Sequence, residues 1–251
     1  MLEIIKEKLH ELESEHHIRI LYACESGSRA WGFPSPDSDF DVRFIYSGKT
    51  NDYLNIHDIK DVLDLPVNDV LDIGGWDIRK VLKLFLKSNG PLYEWLQSPI
   101  IYRDDVGFAD ELRQLMPQYF SLRAGGNHYL SMALNTVNND LQEEQVKIKR
   151  YFYALRSTLA CKWITEKQTV PPMEFEKLRV LANAQSFQSS VDELLKMKVI
   201  SDERTLIKPI TMLNDWLNET LSVCKTKLGH IAPTHSSSEE LNAIFRKYIL
   251  P

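Results

Sequence analysis

Two aspartates separated by one residue, Asp39 and Asp41, follow a Gly27-Ser28 dipeptide after a gap of ten residues. Residues i and i+2 of a strand face the same way with Cα atoms about 6.5–7 Å apart, so the two carboxylates are expected to project together. Neighbouring carboxylates repel and raise each other's pKa unless a cation is shared between them. Two divalent ions about 3.5–4 Å apart, held by such groups, activate an attacking oxygen and stabilise a leaving one in an in-line phosphoryl displacement. Gly27-Ser28 falls where an apolar run stops and a helix can start, which puts free backbone N–H groups, the positive end of a helix dipole and a hydroxyl in one turn. Such a turn suits a triphosphate, and Arg29 beside it can add a charge-assisted contact to the same phosphates. A lone Asp-x-Asp is more often a solvated strand end, and a lone Gly-Ser is weaker still. The chemistry rests on their order, their spacing and a further acidic residue downstream.

Two downstream acidic residues sit between apolar neighbours and could supply this third carboxylate, Asp72 in Leu71-Asp72-Ile73 and Asp77 in Trp76-Asp77-Ile78. Asp72 is preferred because it falls within a strand pattern, whereas Asp77 already has a structural use as the N-cap of the helix that follows. The metal set expected is therefore Asp39, Asp41 and Asp72, with Asp77 as the alternative. Farther along, Lys149, Tyr153 and Arg156 share one helical face and could meet a triphosphate or base. The alternative is that Ile148, Phe152, Leu155 and Leu159 pack a core while the charges are solvated. Lys83 and Lys87, one helical turn apart, read first as a solvated face. Trp31 and Trp76 could stack on a base, although buried packing is the commoner use of tryptophan.

Competing motifs fail on specific positions. Asp37-Ser38-Asp39-Phe40-Asp41 opens like an EF-hand loop, but Val42 stands at the sixth position and Gly48 at the twelfth. Gly48-Lys49-Thr50 looks like the end of a P-loop, yet Arg43 occupies the position of its first glycine. No histidine spacing points to a metal site. Cys24, Cys161 and Cys224 are too scattered for a zinc site or a disulfide framework.

The elements that must carry these residues can be read from periodicity. Residues 1 to about 15 have apolar side chains at helical spacing, Ile18–Cys24 reads as a buried strand, and Asp39–Ile45 alternates at strand period with Phe40, Val42 and Phe44 on the apolar face. A third strand is expected over Val67–Ile73, ended by Gly74-Gly75, with a helix beginning at Asp77. Beyond residue 106 helices dominate, over 122–139, 143–165, 175–184 and 206–228. The fold class expected is α+β: a small mixed-sheet domain over 1–110, then a mostly helical domain over 111–251 that completes a nucleotide and acceptor cleft, with the border near residues 100–120. A net charge of −5 disfavours a protein that coats nucleic acid through a broad basic face. The opening residues lack a signal-peptide layout and no apolar run is long enough to span a bilayer, so a cytoplasmic location without membrane attachment is expected.

The pattern Gly27-Ser28-x10-Asp39-Phe40-Asp41 resembles the active-site signature of DNA polymerase β-like nucleotidyltransferases. Gly27-Ser28-Arg29-Ala30-Trp31-Gly32-Phe33 and Asp37–Ile45 further resemble the bacterial and phage family named for a predicted association with RNA repair. Gly75–Lys80, Lys87-Ser88-Asn89, Glu94-Trp95-Leu96 and Lys149–Arg156 extend that match over most of residues 18–165. The resemblance implies a nucleoside triphosphate, ATP among the candidates, bound with magnesium or manganese. It implies Asp39 and Asp41 as metal ligands, Gly27 and Ser28 on the phosphates, and a third acidic residue that positions or deprotonates an acceptor hydroxyl. It also gives Lys87, Lys149, Tyr153 and Arg156 weight as nucleotide contacts. RNA is the acceptor its name suggests, and the number of subunits is left open. A nucleotide- or partner-binding module without turnover, or a metal-dependent phosphoester hydrolase, are the competing functions.

Overall fold

A computed structural model describes residues 1–65, 70–104, 106–202, 204–234 and 236–250. The fold is α+β, and its contacts divide it into two units that are not consecutive in the chain: Met1–Gly27, Asp39–Tyr119 and His235–Pro251 form the first, and Ser28–Ser38 with Phe120–Thr234 the second.

The first unit is built on a mixed sheet of β1 (Arg19–Glu25), β2 (Phe40–Ser47), β3 (Val62–Asp64), β4 (Leu71–Asp77) and β5 (Ile101–Arg103), ordered β3-β4-β2-β1-β5. Among the described residues, β2 and β4 are the one parallel pair of this sheet. Helix α1 (Leu2–His16) lays Ile5, Leu9 and Leu12 over one sheet face, against Val42, Phe44 and Tyr46 of β2 and Ile73 of β4. The Glu13 carboxylate fastens this helix by accepting the Ile20 N–H at 2.7 Å and an Arg103 N–H at 2.5 Å. Because β2 is also buried at Ile45 and Ser47, it is a central strand covered on both sides rather than the half-exposed one its alternation predicts.

Strand β4 does not stop at Gly74-Gly75 but runs through both to Asp77. The reason lies on the neighbouring strand: a Cβ at Gly75 would stand 2.2 Å from Cε2 of Phe44, so glycine here makes room for a ring rather than a turn. Residues 67–69, the start of the expected strand, lie outside the described residues. Asp77 then caps α3 (Ile78–Leu86), its carboxylate accepting the Arg79 N–H at 2.8 Å, as its type and place predict. Helices α4 (Gly90–Trp95), α5 (Phe108–Tyr119) and α11 (Glu239–Ile249) complete this unit. The last helix joins it through Tyr248 and Lys247, both 2.6 Å from Glu111, and through Phe245 against the ring of Tyr53.

The short helix α2 spans Gly27–Trp31. In the second unit α6 (Leu122–Asp140), α7 (Ile148–Lys167) and α10 (Thr211–Gly229) pack on one another, with α8 (Phe175–Arg179) and α9 (Gln185–Ile200) beside α7. Helix α7 starts later than its periodicity predicts, and α10 likewise, because Val146-Lys147 (β6) and Leu206-Ile207 (β7) pair as a two-stranded ladder in front of them. The segment expected to be helical over 175–184 is a single short turn, and α9 and α11 are helices that the apolar pattern does not predict. Among the described residues no helix is long and apolar enough to cross a membrane.

Candidate active site

Strand parity sorts the acidic residues. In the parallel pairing of β2 with β4, Asp41 lies opposite Asp72, and Arg43 lies two residues after Asp41. Asp41, Arg43 and Asp72 therefore share one sheet face, while Val42, Phe44, Ile73 and Asp77 belong to the other, where α1 packs. The side chains agree: Arg43 Nη2 donates to Asp72 Oδ2 at 2.6 Å and to Asp41 Oδ1 at 3.2 Å. Asp77 is fully buried and is occupied by the Tyr53 hydroxyl at 2.6 Å as well as by its cap bond.

Gly27 explains why a glycine precedes the serine. It has a left-handed backbone, φ 60°, and a Cβ there would lie 1.9 Å from Oδ2 of Asp41. Only a residue without a side chain lets the carboxylate rest against the chain at this point. Strand β1 ends at Glu25, which is fully buried; its carboxylate accepts the Asp41 N–H at 2.9 Å and the Tyr102 hydroxyl. The following N–H, of Ser26, donates to the Asp41 carbonyl at 2.8 Å. Asp41 is thus held at both ends of its own backbone. Since α2 has only five residues, its backbone N–H groups, more than a macrodipole, are what it can offer an anion.

The electrostatics are unbalanced. Burial first, and then the Asp39 charge, push the Asp41 carboxyl up to about 6, with Glu25 and Asp72 adding to the rise and Arg43 opposing it. Burial works against the charge of Arg43, but its hydrogen bond and charge pairing with Asp72 more than offset this, and its pKa lies above the usual value. Asp39 itself precedes the first residue of β2, so the pair is not the two-strand-residue pair the spacing predicts, although its charge is felt at Asp41.

Among the described residues, no three histidine, cysteine or acidic side chains converge as a ready metal cage, and the guanidinium of Arg43 pairs with both Asp41 and Asp72. The donors present are carboxylate oxygens in an environment with excess negative charge, which fits a hard divalent cation at Asp39 and Asp41.

The remaining residues fall in two groups. In the first unit, Lys87 is the exposed C-cap of α3, and no hydrogen bond or ion pair among the described residues joins it to Asp41 or Asp72. In the second unit, Ser28 Oγ donates to Ser38 Oγ at 3.1 Å and Arg29 donates to the Ser38 carbonyl at 2.7 Å, which anchors the loop before the acidic strand. On α7, Tyr153 meets Trp31 edge-on at 5.6 Å, and the Arg156 guanidinium lies 4.5 Å over the Trp31 ring while donating to the Met173 carbonyl. Arg156 is buried, so neither a solvated charge nor an exposed phosphate ligand describes it. Lys149 is half-buried on the same helix. Arg43 and Glu25 are the residues that the sequence reading passes over. The i+2 spacing from Asp41 carries the signal for Arg43, whereas nothing local distinguishes Glu25.

A family model described as the RNA repair pathway DNA polymerase beta family matches residues 1–247. The chain belongs to that family. Its match runs through both units, so the helical residues 120–234 are as much part of this polymerase beta family member as the sheet. A curated relative, the uncharacterized protein YcgL of Bacillus subtilis (strain 168), is 44% identical over 218 residues, covering 86% of this chain and 84% of its own. A solved nucleotidyltransferase-like protein from Exiguobacterium sibiricum 255-15 is 12% identical, with 90% of this chain and 74% of that one covered. Its TM-score of 0.31 is too low to carry an argument about this site. Membership of this polymerase beta family points to a nucleotidyltransferase class of protein.

Proposed function

We propose that this protein moves a nucleoside monophosphate from a nucleoside triphosphate to an acceptor hydroxyl, RNA being the acceptor the family description favours. The observation that carries the reading is the seating of the Asp41 carboxylate against Gly27, opposite Asp72, in a carboxylate group that one arginine does not neutralise. Asp39 and Asp41 would hold magnesium, or manganese, which when bound polarises the α-phosphate and balances charge on both oxygens of the displacement. The backbone N–H groups of the Gly27-Ser28 turn, with the Ser28 hydroxyl and Arg29, bind the phosphates. Asp72 orients the acceptor hydroxyl and takes its proton. The new oxygen–phosphorus bond forms at the α-phosphorus as the bond to the β-phosphate oxygen breaks, and pyrophosphate leaves with the electron pair. Lys149 and Tyr153 serve the base or phosphates, Lys87 is retained as a weaker phosphate contact, and Arg156 positions Trp31.

The test is incubation with each labelled triphosphate, magnesium and pooled RNA or cell extract, comparing wild type with Asp41→Ala. Label transfer that disappears in the variant is the expected result. The ion pairs from Arg43 to Asp41 and Asp72 favour one second reading, a nucleotide-binding module without turnover. Metal-dependent nucleotide binding with neither label transfer nor pyrophosphate release, under every acceptor condition, would establish that reading instead.

A further inference from the structure

Two thiols far apart in sequence meet inside the second unit. Cys161 lies in the middle of α7 and Cys224 on α10, both buried and both free. The two helices pack together, and the two thiols are near enough to perturb one another. Cys161 Sγ also faces the Gly126 carbonyl at 3.5 Å, while Cys224 Sγ lies 3.8 Å from the Thr165 hydroxyl, one helical turn beyond Cys161.

The surroundings of the two are unequal. Cys224 forms part of the wall of a cavity of about 250 Å³, which Lys162, Lys227, Glu166 and Trp216 also line. That volume is several times the roughly 30 Å³ share of one water molecule, so it admits a small peroxide with room to spare. The Cys161 thiol first, then Thr165 and the charges of Lys162 and Lys227, draw the Cys224 thiol below its usual value against the effect of burial, whereas the same interaction and burial push Cys161 up. A thiolate-forming sulfur at a cavity wall, backed by a second thiol, is the arrangement that peroxide chemistry on cysteine requires.

We propose that Cys224 and Cys161 are a hydrogen-peroxide-reactive pair, Cys224 attacking peroxide that enters the cavity and Cys161 closing the product to a disulfide between α7 and α10. The Cys224 sulfur attacks one peroxide oxygen, the O–O bond breaks, and the sulfur becomes a sulfenic acid as the other oxygen leaves as water. The Cys161 sulfur then attacks the sulfenic sulfur, the S–S bond forms, and the second oxygen leaves as water. The two sulfurs together lose two electrons, the peroxide gains them, and both thiol protons end in water. Cys24 is the internal control. It is buried in β1 of the first unit, where burial pushes its thiol up to about 12.

The experiment treats the folded full-length protein with hydrogen peroxide, unfolds it in an alkylating reagent, and digests it without reduction for mass spectrometry. The expected product is a linked pair of peptides containing Cys161 and Cys224, short of two hydrogens, with Cys24 alkylated. In Cys161→Ser, Cys224 should stop at a sulfenic acid that dimedone captures. The proposal is overturned when all three cysteines are recovered alkylated, when links to Cys24 form as readily, or when Cys224 is over-oxidised without linking to Cys161. Wild-type alkylation rates decide the point independently of any variant's folding. Cys224 labels about tenfold or more faster than Cys24 if it forms the thiolate, and equal rates overturn the assignment.

Discussion

Asp41→Asn is expected to stabilise the metal-free protein at neutral pH while abolishing nucleotidyl transfer. The carboxyl is pushed from 3.8 to about 6 by burial and the Asp39 charge, and at roughly 1.4 kcal/mol per unit its ionised form costs the fold on the order of 3 kcal/mol near neutrality. Asparagine has nearly the same shape and removes that cost, which is already net of the opposing 3.2 Å ion pair with Arg43; solvent at the partly exposed carboxylate screens part of it. The net gain expected is roughly 1–2 kcal/mol. Its pH dependence follows from proton binding. Between the unfolded value of 3.8 and the folded value of about 6, the native state holds more of the Asp41 proton, so this term's stabilisation, complete below that window, is lost as pH rises through it. Urea unfolding in EDTA should therefore show the variant and wild type nearly equal at about pH 4 and separated at about pH 7.5, with magnesium then stabilising the wild type alone. A variant no more stable than wild type at the higher pH, or a difference independent of pH, would refute the electrostatic account.

Four further substitutions probe neighbouring features. Gly27→Ala forces a left-handed alanine, costing about 1 kcal/mol, and pushes a Cβ into the Asp41 carboxylate; transfer should fall by about a hundredfold or more while the urea midpoint moves modestly. Gly75→Ala collides with the Phe44 ring, so the urea midpoint should drop by an amount equivalent to about 1–3 kcal/mol with the rate per folded molecule unchanged. Tyr53→Phe leaves the buried Asp77 without its 2.6 Å donor and should cost about 1–3 kcal/mol in thermal or urea unfolding without slowing transfer. Asp72→Asn, measured beside it, should slow transfer, and the reverse pattern would assign the third carboxylate to Asp77.

The sheet strands next to the site were legible because their apolar runs are short and bounded by turn residues, and the cap at Asp77 because capping is a local affair. Gly74-Gly75 misleads as a stop signal, since the ring that requires glycine there belongs to Phe44 on another strand. Arg43 stands at the i+2 position from Asp41, where parity already places it, but attention to its charge as a failed P-loop position hides its use as a bridge to Asp72. Arg156 and Trp31 illustrate the opposite limit: a basic helical stretch reads as a surface, and only tertiary packing turns one of its charges inward. The meeting of Cys161 with Cys224 leaves no trace in their spacing, because it depends on how α7 packs against α10.

The place of α11 in the sheet unit bears on how the molecule is made. Strands β1 to β5 and helix α5 precede by far the helix α11 that packs on α3: it, and the Ser237 carbonyl just before it, which with Glu240 accepts the Tyr119 hydroxyl, emerge about 120 residues after Tyr119 itself. At about 5–20 residues per second the nascent sheet waits roughly 6–24 s for that partner. During this interval Leu82 and Tyr53, which the finished unit covers, lack the side chains of Leu241 and Phe245. The apolar surface left open during synthesis is therefore in the sheet unit, and α11 is the element that covers it.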